Sequence, residues 1–283
     1  MSKNIIKEPF CRRYSSERWL ARHSSDPYVK SRLSSSVSYR SRSAFKLLEI
    51  MQSYSDVMKN ARVRSVVDLG AAPGGWSQVL SASMPALGNG SINDFFGPIT
   101  SRTTQPEALE PRLTIESLKS SSKRKRSILA VDRLPMAPIA GVHTLKIDFL
   151  SSQAQNVIPE VLRAELGGDG RVDMILSDMM SNTTGNRIAD VEASLDICRA
   201  VLSFSQNHLR SATRVNPRDG VLLLKYFESP EATEFRVNHL QPVFRRVQII
   251  KPPASRTESS EYYWLCWSFS PRKVHYTLIV KRL

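Results

Sequence analysis

The chain has 283 residues, of which 41% are hydrophobic, and carries a formal net charge of +14. That length and apolar content suit one large α/β domain with extensions; no apolar run is long enough to span a bilayer, and three scattered cysteines exclude a disulfide scaffold and fit a reducing compartment. The positive charge points to a polyanionic partner, most commonly nucleic acid, with a merely solubilising charge as the alternative.

Residues 1–40 read as a basic arm. Its start, MSKNIIKEPFCRRYSSERW, has the composition of a short organellar presequence, against which Glu8 and Glu17 count, and equally of an RNA-binding arm. Between residues 12 and 46, nine Lys/Arg stand against two acidic residues, Glu17 and Asp26. Arg42 to Ser53 predicts a helix with Phe45, Leu47, Leu48 and Met51 on its buried side. Ser65 to Asp68 predicts the first strand. The stretch VVDLGAAPGGWSQVL, Val66 to Leu80, then turns through a Gly-rich loop into a helix that Pro85 helps to end. Such a strand–loop–helix presents backbone N–H groups to a nucleotide-like ligand.

Residues 88–127 break the rhythm. They are rich in Gly, Ser, Thr and Pro, end in KSSSKRKRS, and predict a surface insertion. Lys123 to Arg126 reads as a solvated charge run or as an RNA contact. Strands resume at Ile128–Asp132, Thr144–Asp148 and Val172–Asp178, each ending in an acid. Asp190 to Leu209 predicts a helix, with Val191, Leu195, Cys198 and Leu202 at helical spacing. Gly220–Lys225 is a buried strand, and Ser229 with Pro230 supplies an N-cap and first helical position. Val247–Ile250, Tyr262–Trp267 and Tyr276–Val280 complete the pattern, the last two as a hairpin around Ser270–Lys273. Cys198 and Cys266 fall in apolar segments as buried thiols. The whole predicts an α/β fold: a mostly parallel sheet with helices on both faces and a late antiparallel strand.

SSERWLARHSSDPYVK, SRSAFKLLEI, VVDLGAAPGGWSQ, AVDRLPMAPIAGV, DMILSDM, the lysine after GVLLL and KPPASRTESSEYY occur in that order over most of residues 15–268. Together they resemble the FtsJ/RrmJ-type RNA ribose 2′-O-methyltransferases. The resemblance implies a Rossmann-like methyltransferase domain over residues 41–283, with S-adenosylmethionine as cofactor. Two departures stand out. The family passes quickly from the Gly-loop helix to the next strand, where this chain inserts residues 88–127. The family's Asp-Met-Ala-Pro-Asn segment is Asp178-Met179-Met180-Ser181-Asn182 here. The basic start and this variant segment are similar to the mitochondrial branch, which implies a uridine of large-subunit ribosomal RNA, or the pre-ribosomal large subunit, as substrate and a mitochondrial location. Cytoplasm or nucleus is the alternative location. A tRNA or mRNA-cap 2′-O-methyltransferase remains an alternative, as does an RNA-binding ribosome assembly factor with dispensable catalysis. A nicotinamide-dependent oxidoreductase is disfavoured, because VDLGAAPGG lacks the G-x-G-x-x-G register.

The resemblance assigns roles residue by residue. Pro73, Gly74, Gly75 and Trp76 would seat the methionine end of the cofactor; by position alone Trp76 is equally a core aromatic. Asp132 would meet the ribose hydroxyls and Asp148 the adenine amino group; either could instead cap a turn. Asp68 would orient the loop or act on the methionine amino group indirectly. Lys46, Asp178, Lys225 and Glu261 form the implied catalytic tetrad, with Asp178 also beside the cofactor and Lys225 as proton acceptor. An ordinary lysine is protonated at neutral pH, so such a base needs burial and a neighbouring cation. Read singly, Lys225 is a snorkelling strand-end lysine, Lys46 a solvent-facing helix residue and Glu261 the flank of an edge strand. Arg12, Arg13, Arg40, Arg42 and Arg256 are candidate phosphate contacts, and Tyr39, Tyr262 and Tyr263 are candidate stacking or core residues. No metal site and no oligomerisation signal are evident.

Overall fold

A computed structural model describes residues 27–29, 38–60, 62–84, 126–166, 169–181 and 184–271. Arg12, Arg13, the arm's start, most of the 88–127 insertion, Asn182 and Tyr276–Val280 therefore lie outside the described residues.

Among the described residues, seven strands form one sheet: β1 (Ser65–Leu69), β2 (Ser127–Asp132), β3 (Val142–Lys146), β4 (Met174–Ser177), β5 (Val221–Phe227), β6 (Phe244–Ile250) and β7 (Glu261–Phe269). Their order is β3-β2-β1-β4-β5-β7-β6. Neighbours are parallel except that β7 runs antiparallel to both β5 and β6. The helices are α1 (Ser43–Ser53), α2 (Ser55–Met58), α3 (Gly75–Ser83), α4 (Ala154–Leu166), α5 (Arg187–His208) and α6 (Pro230–Phe235), which continues as a π-helical turn over Arg236–Leu240. No helix among the described residues is long and apolar enough to cross a membrane.

The two-residue period of the strands divides the core into two layers. Val67 and Leu69 of β1, Leu222 and Leu224 of β5, and Trp264 and Cys266 of β7 pack under α4, α5 and α6. Val66, Val221, Leu223, Tyr263 and Leu265 face the other way, against Leu47, Ile50 and Met51 of α1 and Trp76, Val79 and Leu80 of α3. The expected caps form: the Ser229 hydroxyl oxygen accepts from the Ala232 N–H at 3.1 Å, with Pro230 in the first turn. The buried thiols also stand where expected, and burial pushes Cys198 up to about 12.

Three features depart from the sequence reading. Among the described residues β7 lies between β5 and β6 and forms its hairpin with β6, while Tyr276–Val280, the strand expected to pair with it, lies outside the described residues. Asp148 lies two residues past β3 rather than at its end. The sequence pattern showed no helix between Asp148 and Val172, yet α4 is there. Its Ala154, Ile158 and Leu162 are buried at i, i+4, i+8 spacing, and the internal Pro159 disguises it.

Candidate active site

The chain lays down β1, β2 and β3 in one direction across the sheet, then β4 and β5 in the other. The switch point therefore lies between β1 and β4, and ligands in such sheets bind outside the strands' carboxyl ends there. A cavity of about 470 Å³ occupies that position. Its lining includes Gly70 after β1, Asp132 ending β2, Asp148 beyond β3 and Asp178 just beyond β4. Leu134, Leu150 and Met180 also line it and are 58%, 55% and 51% exposed, an apolar rim open to a flat, base-like ring.

Asp132 is held from two sides: Oδ2 accepts from the Ala72 N–H at 2.9 Å and Oδ1 from the Leu134 N–H at 2.8 Å. Each carboxylate oxygen has a further lone pair available for a ligand hydroxyl. Asp148 is exposed and accepts from the Leu150 N–H at 2.9 Å, so it caps a turn as well as lining the cavity.

Pro73, Gly74, Gly75 and Trp76 do not line this cavity. They form the turn into α3, where Gly74 has φ 110°, a left-handed conformation that suits glycine. The Trp76 side chain is 2% exposed; its indole N–H donates to the Ser43 carbonyl at 2.8 Å and its ring lies 5.8 Å from that of Tyr263. The side chain is thus a core aromatic, and only its backbone remains for a ligand at the helix start.

Asp68 is buried and accepts a hydrogen bond from the Ser77 hydroxyl at 2.6 Å, tying β1 to the first turn of α3. Burial pushes its carboxyl up to about 7, with the Asp178 and Asp132 charges adding and the Ser77 bond opposing. A raised carboxyl binds a proton in the folded state that the unfolded chain has released, so its contribution to stability falls as pH rises from about 4 to about 7. Asp68→Asn removes that fall. Urea unfolding should show the variant gaining on the wild type between about pH 5 and about pH 8; a constant difference across that range would refute the assignment.

The four tetrad residues come together although they derive from α1, the end of β4, β5 and β7. Register explains this. β4 pairs with β5 so that Ser177 faces Leu224, which sets Asp178 beside Lys225. Lys225 faces Tyr263 across the β5–β7 pair, and Glu261, two residues before Tyr263, shares that face. The Lys225 ammonium lies 3.1 Å from Asp178 Oδ1 and 3.8 Å from Glu261 Oε2. Lys46 reaches across from α1 to pair with Glu261 Oε1. All four side chains are between 8% and 16% exposed. Two cations and two carboxylates make the buried group neutral, which is the condition under which such burial is tolerated.

Burial alone would raise the Asp178 carboxyl, but Lys225 and Lys46, with hydrogen bonds from Tyr263 and Lys225, hold it below the ordinary range. Glu261 behaves likewise: burial is overcome chiefly by Lys46 and then Lys225. Tyr263 is a member that residue type did not reveal. It is fully buried, so it does not stack on a base, and its hydroxyl donates to Asp178 Oδ1 at 2.7 Å. Burial and the Asp178 and Glu261 charges push its ionisation far up, so it stays a neutral donor. The Ser255 hydroxyl donates to Glu261 Oε1 at 3.0 Å from the β6–β7 loop.

On its other side the tetrad opens to a hollow of about 270 Å³ lined by Arg42, Ser43, Lys46, Arg256, Ser259 and Glu261. Asp178 therefore fronts the acidic cavity, while Lys46 and Glu261 front a basic one. Arg42 donates to the Ala254 carbonyl at 2.6 Å, and Arg256 is exposed. Arg40 stands elsewhere, its guanidinium on the carbonyls of Pro73, Ala137 and Pro138. Tyr39 packs edge-on to Phe45, and Tyr262 lies between Tyr226 and the Lys251 ammonium.

A family model described as FtsJ-like methyltransferase matches residues 39–269. Ribosomal RNA large subunit methyltransferase E of Bartonella quintana is 34% identical over 258 residues, 91% of this chain and 85% of that protein. The proteins of that name from Rickettsia akari and Coxiella burnetii are also 34% identical, covering 91% and 90% of this chain and 91% and 95% of their own. A crystal structure of a ribosomal RNA methyltransferase from Plasmodium falciparum shares the fold, with a TM-score of 0.55 at 22% identity over 83% of this chain and 100% of that one. The chain belongs to the FtsJ-like methyltransferase family, whose methyl donor is S-adenosylmethionine.

Proposed function

We propose that this methyltransferase modifies a ribose 2′-OH of ribosomal RNA, specifically a uridine of large-subunit ribosomal RNA in mitochondria. The observation that carries the reading is the buried, neutral Lys46–Glu261–Lys225–Asp178 network standing between an acidic cavity and a basic hollow. The names of the relatives support a large-subunit ribosomal RNA, and the nine Lys/Arg of residues 12–46 support both an RNA-facing arm and an organellar address.

The residues at the switch point fit the donor. Asp132 and Asp148 supply acceptors for ribose hydroxyls and an adenine amino group, and the apolar rim suits the base. The first turn of α3, entered through Pro73, Gly74 and Gly75 and continued by Trp76, presents N–H groups for a carboxylate. The carboxylates of the cavity suit the ligand's cationic end. When bound, the donor supplies a methyl group on a sulfonium centre, already activated for in-line transfer.

The protein's own work is to align the acceptor and remove its proton. Lys225 Nζ lies beside Asp178, at the donor cavity, and within 3.8 Å of Glu261, at the basic hollow, so it can take the proton of a hydroxyl entering from that hollow. Only the neutral amine has a lone pair to offer, so Lys225 first releases one ammonium proton to solvent; the hydroxyl proton then passes to that amine as the oxygen takes the methyl group, whose bond to the donor's sulfur would break with its electron pair left on sulfur. Asp178 fixes Lys225 through a charge pair and through its backbone carbonyl, which accepts from Nζ at 3.3 Å. Tyr263 holds Asp178, while Lys46 and Ser255 hold Glu261. Arg42 and Arg256 would meet the phosphates flanking the acceptor.

The test is transfer from methyl-labelled donor to large-subunit ribosomal RNA, total tRNA and capped mRNA, followed by mapping of the modified ribose. The expected product is one 2′-O-methyluridine in the ribosomal RNA. Label only in tRNA or cap would overturn the substrate, and RNA binding with no transfer would favour an assembly role.

A further inference from the structure

The sequence places Arg40 among basic residues and so among phosphate contacts. Its side-chain contacts lead elsewhere, and we infer that Arg40 is a positioning residue of the donor site, locking the Gly-rich turn to the β2–β3 loop. Its guanidinium donates to three backbone carbonyls, Pro73 at 3.3 Å, Ala137 at 2.6 Å and Pro138 at 2.7 Å. The first belongs to the turn before α3. The other two belong to the segment that starts at Asp132 and supplies Arg133 and Leu134 to the cavity.

The fork suits this place. The β2–β3 loop contains Pro135 and Pro138, which have no N–H, so its carbonyls have few local partners. A rigid guanidinium spreads five donors over a planar fork and so spans carbonyls on two separate segments, whereas an ammonium gathers its three donors at one point. The strap that carries Arg40, residues 38–42, is fastened to α3 through Gln78, and α3 in turn is tied to the β2–β3 loop. The Arg40 N–H donates to Gln78 Oε1 at 2.7 Å, the Gln78 amide donates to the Ser38 carbonyl at 3.4 Å, and the Ser81 hydroxyl donates to the Ala140 carbonyl at 2.6 Å. Contact is close enough to exclude side chains on the turn. A Cβ on Gly74 would stand 2.8 Å from Ile139 Cδ1 and 3.1 Å from Arg40 Nη1, and one on Gly75 would stand 2.1 Å from Ser41 Oγ. Strap, turn and loop therefore form one junction, with the arginine at its centre. Arg42 at the N-cap of α1 and Lys46 in its first turns follow, so the same strap connects the donor seat to the acceptor side.

Arg40→Lys separates this role from phosphate binding. A lysine can still attract a phosphate as a point charge, but it lacks the two separated nitrogens with which Arg40 holds the turn and the loop together. Titration calorimetry of the full chain with S-adenosylhomocysteine, the demethylated form of the donor, should show about ten-fold weaker binding. Affinity for ribosomal RNA and its slope against salt should be unchanged. Arg40→Gln should weaken S-adenosylhomocysteine at least as much, again without lowering the salt slope, which reads phosphate contacts directly. Unchanged S-adenosylhomocysteine affinity in folded Arg40→Lys would overturn the inference, as would a salt slope lowered by about one in Arg40→Gln. Near-ultraviolet circular dichroism establishes folding; if Arg40→Gln fails to fold, Arg40→Lys decides alone.

Discussion

Lys225→Met should lose methyl transfer by about 10²–10⁴-fold, the usual contribution of a positioned base, while S-adenosylhomocysteine still binds. Methionine keeps much of the length and apolar stem but has no amine to accept a proton. It also withdraws the cation shared by Asp178 and Glu261, so the first variant changes charge as well as chemistry. Lys225→Arg resolves the two. Arginine preserves the positive charge beside both carboxylates but does not give up a proton in proteins, so it cannot serve as the base. The expected result is a folded, donor-binding and equally inactive arginine variant, measured by single-turnover transfer. If Lys225→Arg kept a rate near wild type, the role of this side chain would be electrostatic and the proton would leave by another route.

What the sequence revealed, and what it hid, follows from how far each property depends on tertiary context. The strands were legible because buried parallel strands are continuous apolar runs bounded by turns, as in Val221–Leu224 and Met174–Leu176. The tetrad residues were legible only through ordered motifs. Lys46, Asp178, Lys225 and Glu261 are far apart in the chain, and no local pattern says that β4, β5 and β7 would align them. Side-chain direction was the least legible property. Trp76 stands in the Gly-rich motif, yet its ring turns to Ser43 and Tyr263 in the core. Tyr263, like Tyr262, reads as either a stacking or a core residue, and strand alternation decides it by sending the ring inward to Asp178. That alternation was available: Glu261 and Tyr263 are two apart on one strand and must share a face. Arg40 could not have been recognised, since its carbonyl partners lie 33, 97 and 98 residues away. The β6–β7 hairpin was missed because its Lys251–Ser260 connection is long and carries no tight-turn signature.

Asp178→Ala should destabilise the protein by about 3–5 kcal/mol, the range for removing one partner from a buried ion pair. The change converts a neutral cluster into one with an excess positive charge, shared between Lys225 and Lys46, and leaves the buried Tyr263 hydroxyl without its acceptor. Asp178→Asn should cost less, because the amide oxygen can still accept from Tyr263 although the charge balance is lost. The cost should also depend on pH, with a definite sign. Asp178 and Glu261 are both held below the ordinary carboxylate range. A carboxylate lowered in the folded state contributes stability that is fully present above its unfolded pKa and is lost as pH falls through the folded value. The wild type should therefore lose this contribution on acidification, whereas Asp178→Asn has none from this position to lose. Urea unfolding at about pH 7 and about pH 3 should show the gap between them narrowing towards acid. A gap of constant size would mean that the aspartate acts through shape and hydrogen bonding, and that its charge does not hold Lys225 in place. In that case Asp178→Asn should retain substantial methyl transfer; if the charge is what positions the base, the same amide should be nearly as inactive as Lys225→Met.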